Sequence, residues 1–427
     1  MAAALWNRPA LRPLAHRDFR LLLAGSALVG VLMPLHLMTQ LFWVSERFPD
    51  SAVIYSSILA GSRGAGMVVF SLVGGAIADR AERKRVLLVC ESLSLVAHAG
   101  IAALMILEPG GAASVGFVAV VTFAAAGVQS IDSPARSASI PGAAGPENIG
   151  AAIALLSMSG QLIMPLSLPI AGVLNEVLSP GIVYAVTLLL WVGIIPLIIM
   201  LRLPRQVVSV APRGVLTSIR EGLSYTRKHR PILAIVSVVL VVQVVGMPVA
   251  TPLGPMFEIE TLGFSPAQVG LMGATWGLGS FTASFILARA GWLALRGGSL
   301  AVVGVLFGVA ILGFGYSRFV PLTAVSDYGM GFAFTATSLV ASTLVQNLVA
   351  DDVRGRVLSL FPLSMGLAQA ATALAGLAGG VLGLATLLPL LGWIVIGGCL
   401  LLAGVHREFL GARVQPRVTL AAPRAAP

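Results

Sequence analysis

From Val357 to Gly404 the chain runs for 48 residues without one Asp, Glu, Lys or Arg. A helix needs about 20 mostly apolar residues to cross a bilayer, so this stretch is long enough to cross twice. Ile182 to Leu201 repeats the pattern once, twenty residues without a charge. Charged residues make up 10% of the 427 residues, against about 25% in soluble domains. So little charge cannot cover a water-exposed surface of this size. The solvent is therefore lipid, where every backbone polar group must be satisfied within the chain, and helices do so.

Runs of this kind predict spans at 19–45, 53–78, 86–107, 114–138, 149–173, 181–202, 231–256, 266–289, 298–316, 320–347, 355–379 and 383–404. The expected fold is an all-α membrane protein of twelve transmembrane helices. The net charge of +10 would point to nucleic acid in a soluble protein. In a membrane protein Lys and Arg instead gather on the cytoplasmic side. With twelve spans, 24 of the 27 basic residues fall on the side of the termini. Arg47 and Arg318 lie opposite, and Arg63 lies inside a span. A wrong helix count would scramble this asymmetry. Both termini are therefore expected in the cytoplasm, with the chain in a plasma (bacterial inner) membrane.

One long connection divides the spans into two sets of six. The expected organisation is an N-terminal half at 1–203, a basic cytoplasmic linker at 204–229, a C-terminal half at 230–405 and a cytoplasmic tail at 406–427. Pro146-Glu147-Asn148-Ile149-Gly150 and Ala350-Asp351-Asp352-Val353-Arg354 are weakly alike, and both stand at the fourth-to-fifth junction of their half. Two six-helix halves around one path are a transporter layout. The densest charge cluster, six charged residues in the seven positions 79 to 85, forms the hairpin between the second and third spans.

That hairpin resembles motif A of the major facilitator superfamily, Gly-x-Leu-Ala-Asp-Arg-x-Gly-Arg-Lys. Gly75, Ile77 in place of Leu, Ala78, Asp79, Arg80, Arg83 and Lys84 carry the match, and Glu82 replaces the second glycine. Asp132-Ser133-Pro134-Ala135-Arg136 with Pro141, and Asp352-Val353-Arg354-Gly355-Arg356-Val357, resemble elements of the transmembrane-secretion-effector branch. That branch includes enterobactin-exporter-like and macrolide-efflux-like proteins. The likeness covers nearly the whole chain in layout and about three short stretches in residue detail. Departures are a missing acid in the second-half relative of motif A (Arg289 to Arg296), a degraded glycine motif at Gly160 to Gly172, and no acid in span one.

The resemblance implies that Asp79 faces the start of span eleven near Arg354 and Arg356, latching the halves on the cytoplasmic side. Arg83 and Asp132 would complete the network, with Gly75, Arg80, Lys84 and Arg136 in the same gate. The plainer alternative is that Arg80 to Arg85 only fix topology.

Charges inside lipid are costly and usually face a cavity. Arg63 and Asp327 lie at comparable depth in spans two and ten. Either could meet an ionic substrate, or the two could pair. The alternatives are that Arg63 snorkels and that Asp327 lies nearer the surface. His36 in span one could couple protons or simply pack. Glu91 and His98 share a face of span three, with Glu91 expected in the cytoplasmic charge network and His98 in packing. Gln129 and Gln243 are polar positions near the expected path.

There is no phosphate-binding loop, no disulfide framework or metal spacing from Cys90 and Cys399, and no catalytic constellation. No enzyme activity, cofactor or metal is expected. The sequence points to a monomeric secondary transporter partnered by the bilayer and a small-molecule substrate, with protons as the candidate coupling ion. Ion-driven efflux of an amphipathic drug, antibiotic or siderophore-like metabolite is the first reading. Uptake, or a non-transporting sensor or scaffold of the same fold, is the alternative.

Overall fold

A computed structural model describes residues 9–80, 82–107, 110–204, 215–358 and 360–406, with side chains for all of these except 9–10, 72–80, 215–219, 351–352 and 362. Twelve helices among them are long and apolar enough to cross a membrane. The first six are α1 (Arg17–Arg47), α2 (Ala52–Arg80), α3 (Arg83–Leu107), α4 (Ala112–Ala138), α5 (Ile149–Val177) and α6 (Pro180–Met200). The second six are α7 (Arg230–Glu260), α8 (Pro266–Arg289), α9 (Gly297–Gly315), α10 (Val320–Leu348), α11 (Val353–Leu382) and α12 (Leu384–Val405).

Local chemistry sets the helix ends. Proline occupies the first turn of α6, α7, α8 and α10, where its missing N–H costs no hydrogen bond. Ser265 caps α8: its hydroxyl accepts from the Gln268 N–H, and its own N–H donates to Gln268 Oε1 at 2.9 Å. Between α11 and α12 a single residue, Gly383, turns the chain at φ +77°, a conformation that favours glycine.

The span α7 is not one regular helix. It passes through π-type turns at Val241–Val245 and Val249–Leu253, and Thr251 is extended at φ −159°. Pro248 and Pro252 each remove a backbone donor, and the wider turns absorb the damage. An interrupted helix needs more residues to climb the same thickness. The span therefore reaches Glu260 rather than 256, and Glu258 becomes a buried residue, 2% exposed.

Within the first six helices α2 packs on α4, α3 on α4 and α6, and α1 on α5 and α6. In the second six, α8 packs on α10, and α9 on α10 and α12. The two sets meet through α2 against α11 and α5 against α8. These seams are made of small residues. A Cβ on Gly64 would lie 2.3 Å from the Ala370 nitrogen. In the other seam, one on Gly172 would lie 2.4 Å from the Pro266 oxygen and one on Gly270 2.5 Å from the Leu168 oxygen. Backbones come this close in membranes because packing drives helix association there, and small residues permit it.

The α5–α8 seam lies toward the end away from the termini. Glu176, in the last turn of α5, accepts from the Ala267 N–H at 3.0 Å. That places a carboxylate at the positive end of the α8 dipole and ties one half to the other. Nearer the terminal end, a Cβ on Gly160 would meet nothing within 4 Å.

The linker carries a helix, Val215–Lys228, which packs at the start of α11 and touches α2. Arg356 pairs with Glu221 at 2.7 Å. A Cβ on the next residue, Gly222, would lie 2.4 Å from the Arg356 oxygen.

Replacing Gly64 tests the seam. Gly64→Val forces α2 from α11 at an overpacking cost of about 1–3 kcal/mol. Ile54 and Gly380 face each other across this seam. Disulfide formation between Ile54→Cys and Gly380→Cys, measured with Cys90 and Cys399 replaced by serine, is expected to fall severalfold when Gly64→Val is added.

Candidate functional site

Five of the first six helices, all but α5, line a polar chamber. Its lining comes from α1 (Val29, Leu32, Met33, His36), α2 (Arg63), α3 (Cys90, Glu91, Ser94, His98), α4 (Thr122, Ala125, Ala126, Gln129, Asp132) and α6 (Trp191). Its volume is about 60 Å³, room for a few waters and well below the roughly 300 Å³ at which drug-sized sites begin. Met33 and Gln129 are exposed and mark its mouth.

At the chamber's charged end Arg136 binds two acids. Its Nη2 donates to Glu91 Oε1 at 2.6 Å, and its Nε and Nη2 donate to Asp132 Oδ2 and Oδ1 at 2.9 and 3.2 Å. Asp132 and Arg136 are four apart on α4, the spacing that brings side chains together on a helix. Glu91 comes from α3, and its second oxygen accepts from the Trp191 indole N–H of α6 at 2.8 Å. The group fastens three helices. Both acids are buried and Arg136 is half-buried, and the guanidinium makes the pairing tolerable.

Aromatic rings fill the next layer. His36 stacks on His98 at 4.4 Å between centroids and on Tyr184 at 4.5 Å, and Trp191 lies 4.7 Å from His98. His36 Nε2 lies 2.7 Å from the Thr187 hydroxyl, and His98 Nδ1 lies 2.7 Å from the Ser94 carbonyl. Gln40 donates to Tyr184 Oη at 3.0 Å and Thr122 Oγ1 at 3.4 Å. Arg63 lines the same chamber as His36 and His98. Its Nε is buried with no hydrogen-bond partner among the described residues.

The other expected site residues are dispersed. Asp327 is buried in α10, with the Glu258 carboxyl of α7 as its electrostatic neighbour. No ion pair joins Asp327 to Arg63 among the described residues. Arg63 faces the chamber of the first half, and Asp327 lies with an acid of the second. Gln243 is buried in a π-type turn of α7 and accepts from the Ser364 hydroxyl of α11. Lys84 donates to the Ile199 carbonyl at 2.6 Å, anchoring α3 to the end of α6. Arg83 opens α3, and Arg354 donates to the Val349 carbonyl at 3.4 Å. The side chains of Asp79 and Arg80, and whatever a Cβ at Gly75 would meet, lie outside the described residues, as does the expected contact of Asp79 with α11. Asp132, expected at that latch, makes its described contacts with Arg136 inside the first half.

The profile of the Major Facilitator Superfamily matches residues 19–373. The chain belongs to the major facilitator superfamily. Its twelve apolar helices make it a multi-pass membrane protein of that superfamily. Among curated relatives, an uncharacterized MFS-type transporter, YvqJ of Bacillus subtilis (strain 168), is 25% identical over 231 residues. That match covers 52% of this chain and 54% of YvqJ, so the chain spans about half the length of this relative. Among solved structures, a point mutant of the nucleoside transporter NupG superposes with a TM-score of 0.70 at 15% identity, over 92% of this chain and 100% of NupG. A point mutant of a peptide transporter POT gives 0.70 at 13%, over 92% and 95%. A bacterial homolog of the human lysosomal transporter Spinster, in an inward-facing and unoccupied conformation, gives 0.66 at 14%, over 94% and 99%. At these identities the likeness concerns the fold.

Arg136 is the residue whose removal would be felt most. Arg136→Ala leaves Glu91 and Asp132 buried without their guanidinium, at a cost of about 3–5 kcal/mol. The midpoint of thermal unfolding in detergent should fall markedly. Arg136→Lys keeps the charge but cannot bond both acids in the same plane, and should give an intermediate loss.

Proposed function

We propose that this superfamily member is a secondary active transporter that exports a small amphipathic organic molecule, driven by an ion gradient, by alternating access. The observation that carries this reading is where the polar groups are used. Glu91, Asp132 and Arg136 bond one another, and His36, Gln40, Thr122, Tyr184 and Thr187 form hydrogen bonds among themselves. Arg63 in the chamber wall and Gln129 at its mouth are the polar groups least engaged by these bonds. A path so poor in available polar groups favours an apolar body with one polar handle, such as a drug, an antibiotic or a siderophore-like metabolite.

Alternating access is supported by the two seams. Helices that touch through small residues can slide and part on weak packing contacts. The Glu176–Ala267 hydrogen bond holds the end away from the termini closed, and the open surroundings of Gly160 lie nearer the terminal end. In this reading the termini are cytoplasmic, as the basic residues imply, the membrane is a bacterial inner membrane, and the state is inward-facing. The motif A hairpin, with Asp79 against the start of α11, is the latch of the opposite state. Asp327 beside Glu258, with no basic partner among the described residues, supports coupling to a small cation, and the proton is the simplest. The chain is taken to work as a monomer.

Liposomes holding the purified chain test this reading. A lipophilic cationic dye should move against its gradient when the pH difference is imposed, and Asp327→Asn should slow that movement at least tenfold. Dye flux indifferent to pH and membrane potential would overturn secondary active transport. Accumulation in the opposite sense would overturn export and leave uptake.

A further inference from the structure

We propose that Glu91 is an exchangeable proton-binding site, reached by water through the chamber, with Arg63 as its counter-charge. The proposal deepens the ion-coupled reading above and rests on it for its purpose, but the site itself does not depend on cargo.

The argument starts from the bonds that Arg136 makes. It holds Asp132 by two hydrogen bonds from two nitrogens and Glu91 by one. Two parallel bonds to one carboxylate are the stronger grip. Glu91 has a single charged donor, and its other bond comes from the neutral Trp191 indole. Of the two acids it is the one that can take a proton while Arg136 stays paired. The step is a simple protonation: a hydronium ion reaching the chamber from solvent breaks one of its O–H bonds, the proton forms an O–H bond on a Glu91 oxygen, neutral water is left behind, and the ion pair with Arg136 is lost. Arg136 then remains with Asp132.

The charges balance across the cavity. With both acids ionised, Glu91, Asp132 and Arg136 sum to one negative charge. Arg63, on another wall of the same chamber, supplies one positive charge and has no ion pair among the described residues. Protonation of Glu91 cancels that negative charge and releases Arg63 electrostatically. A proton on α3 is thereby linked to a cation on α2, the helix that forms the seam with α11.

The route is set by the two imidazoles. Thr187 donates its hydroxyl proton to the Tyr184 carbonyl at 2.6 Å, so its 2.7 Å bond with His36 must be donated by His36 Nε2. His98 Nδ1 likewise donates to the Ser94 carbonyl, because a carbonyl only accepts. In the neutral rings His36 Nδ1 and His98 Nε2 therefore carry lone pairs, and both residues line the chamber. Lone pairs order water by accepting from it, and they disfavour a bound anion beside Arg63. The groups facing Glu91 and its water are His36 from α1, Arg63 from α2, Cys90 and His98 from α3, Asp132 and Arg136 from α4, and Tyr184 and Trp191 from α6. From α5 none lines the chamber.

Trp191 makes the proton visible, because its indole is bonded to the carboxylate that titrates. Purified full-length protein in detergent is titrated from about pH 5 to 9, the range over which a physiological coupling proton must exchange, while tryptophan emission is followed. A transition is expected in the wild type and is expected to vanish in Trp191→Phe and in Glu91→Gln. Glu91→Asp should restore it. A pH indicator in unbuffered solution should count about one proton fewer for Glu91→Gln over the same range. A wild-type transition that survives in Glu91→Gln, or an unchanged proton count, would overturn the site. So would the absence of any Trp191-dependent transition in the wild type, a comparison that needs no Glu91 variant to fold. Dye exchange by wild-type liposomes with no gradient tests the transport reading separately. Exchange without the titration refutes the proton site alone, and the titration without exchange refutes transport alone.

Discussion

The contact between α2 and α11 is one of backbone against backbone, and the working of the rest depends on it. At Gly64 the backbone of Ala370 comes too close for a side chain on the glycine. Lipid tails are as apolar as leucine, so a membrane helix gains little by hiding apolar side chains from them. What holds two halves together is then close van der Waals contact, weak per atom and summed along the seam. Such a seam is tight when aligned and, being held by many weak contacts, can part without one strong bond deciding it. The strong polar bonds lie elsewhere, inside the first six helices, where Arg136 fastens α4 to α3 and Trp191 brings in α6. Strength within a half and weakness between halves is the mechanical condition for rocking.

Most of the fold was legible because the signal repeats. Each span is a run of about twenty apolar residues, and the basic residues fix the parity of the count. The exception in detail is α7, where Pro248 and Pro252 inside an apolar run change the rise per residue. A reading that assumes a regular helix ends the span too early and leaves Glu258 outside it. The prolines were visible, but their effect on depth is a property of the folded backbone.

The site was less legible, for a geometric reason. Rise per residue places Arg63 and Asp327 at similar depth, but depth says nothing of the direction in which each side chain points about its helix axis. The structure places them in different halves, one facing the two imidazoles and the other beside Glu258. Glu91 and His98 share a helix face, as their seven-residue spacing requires. What surrounds that face depends on α4 and α6, 45 and 100 residues away at the bonded positions. The Asp132–Arg136 pair was the readable part, since i,i+4 contacts on a helix are local. Glu91 was readable as a member of the charge network, and it does bond Arg136; Trp191, an indole within an apolar run, gave no sign of its partner.

A chamber for a few waters, deep in one half, is an odd feature under the proposed reading of an organic cargo. It makes physical sense if cargo and coupling ion use different spaces. The cargo needs a large apolar surface between the halves, which must open to both sides. The ion needs a small polar site with fixed donors, which must remain intact while the halves move. Placing that site among α1, α3, α4 and α6, and away from the seams, spares it the rocking motion. Among the described residues Arg63 is the one chamber-lining charge on α2, a helix that also builds the seam. It therefore stands where a change of charge inside the half can be felt by the contact that closes the transporter.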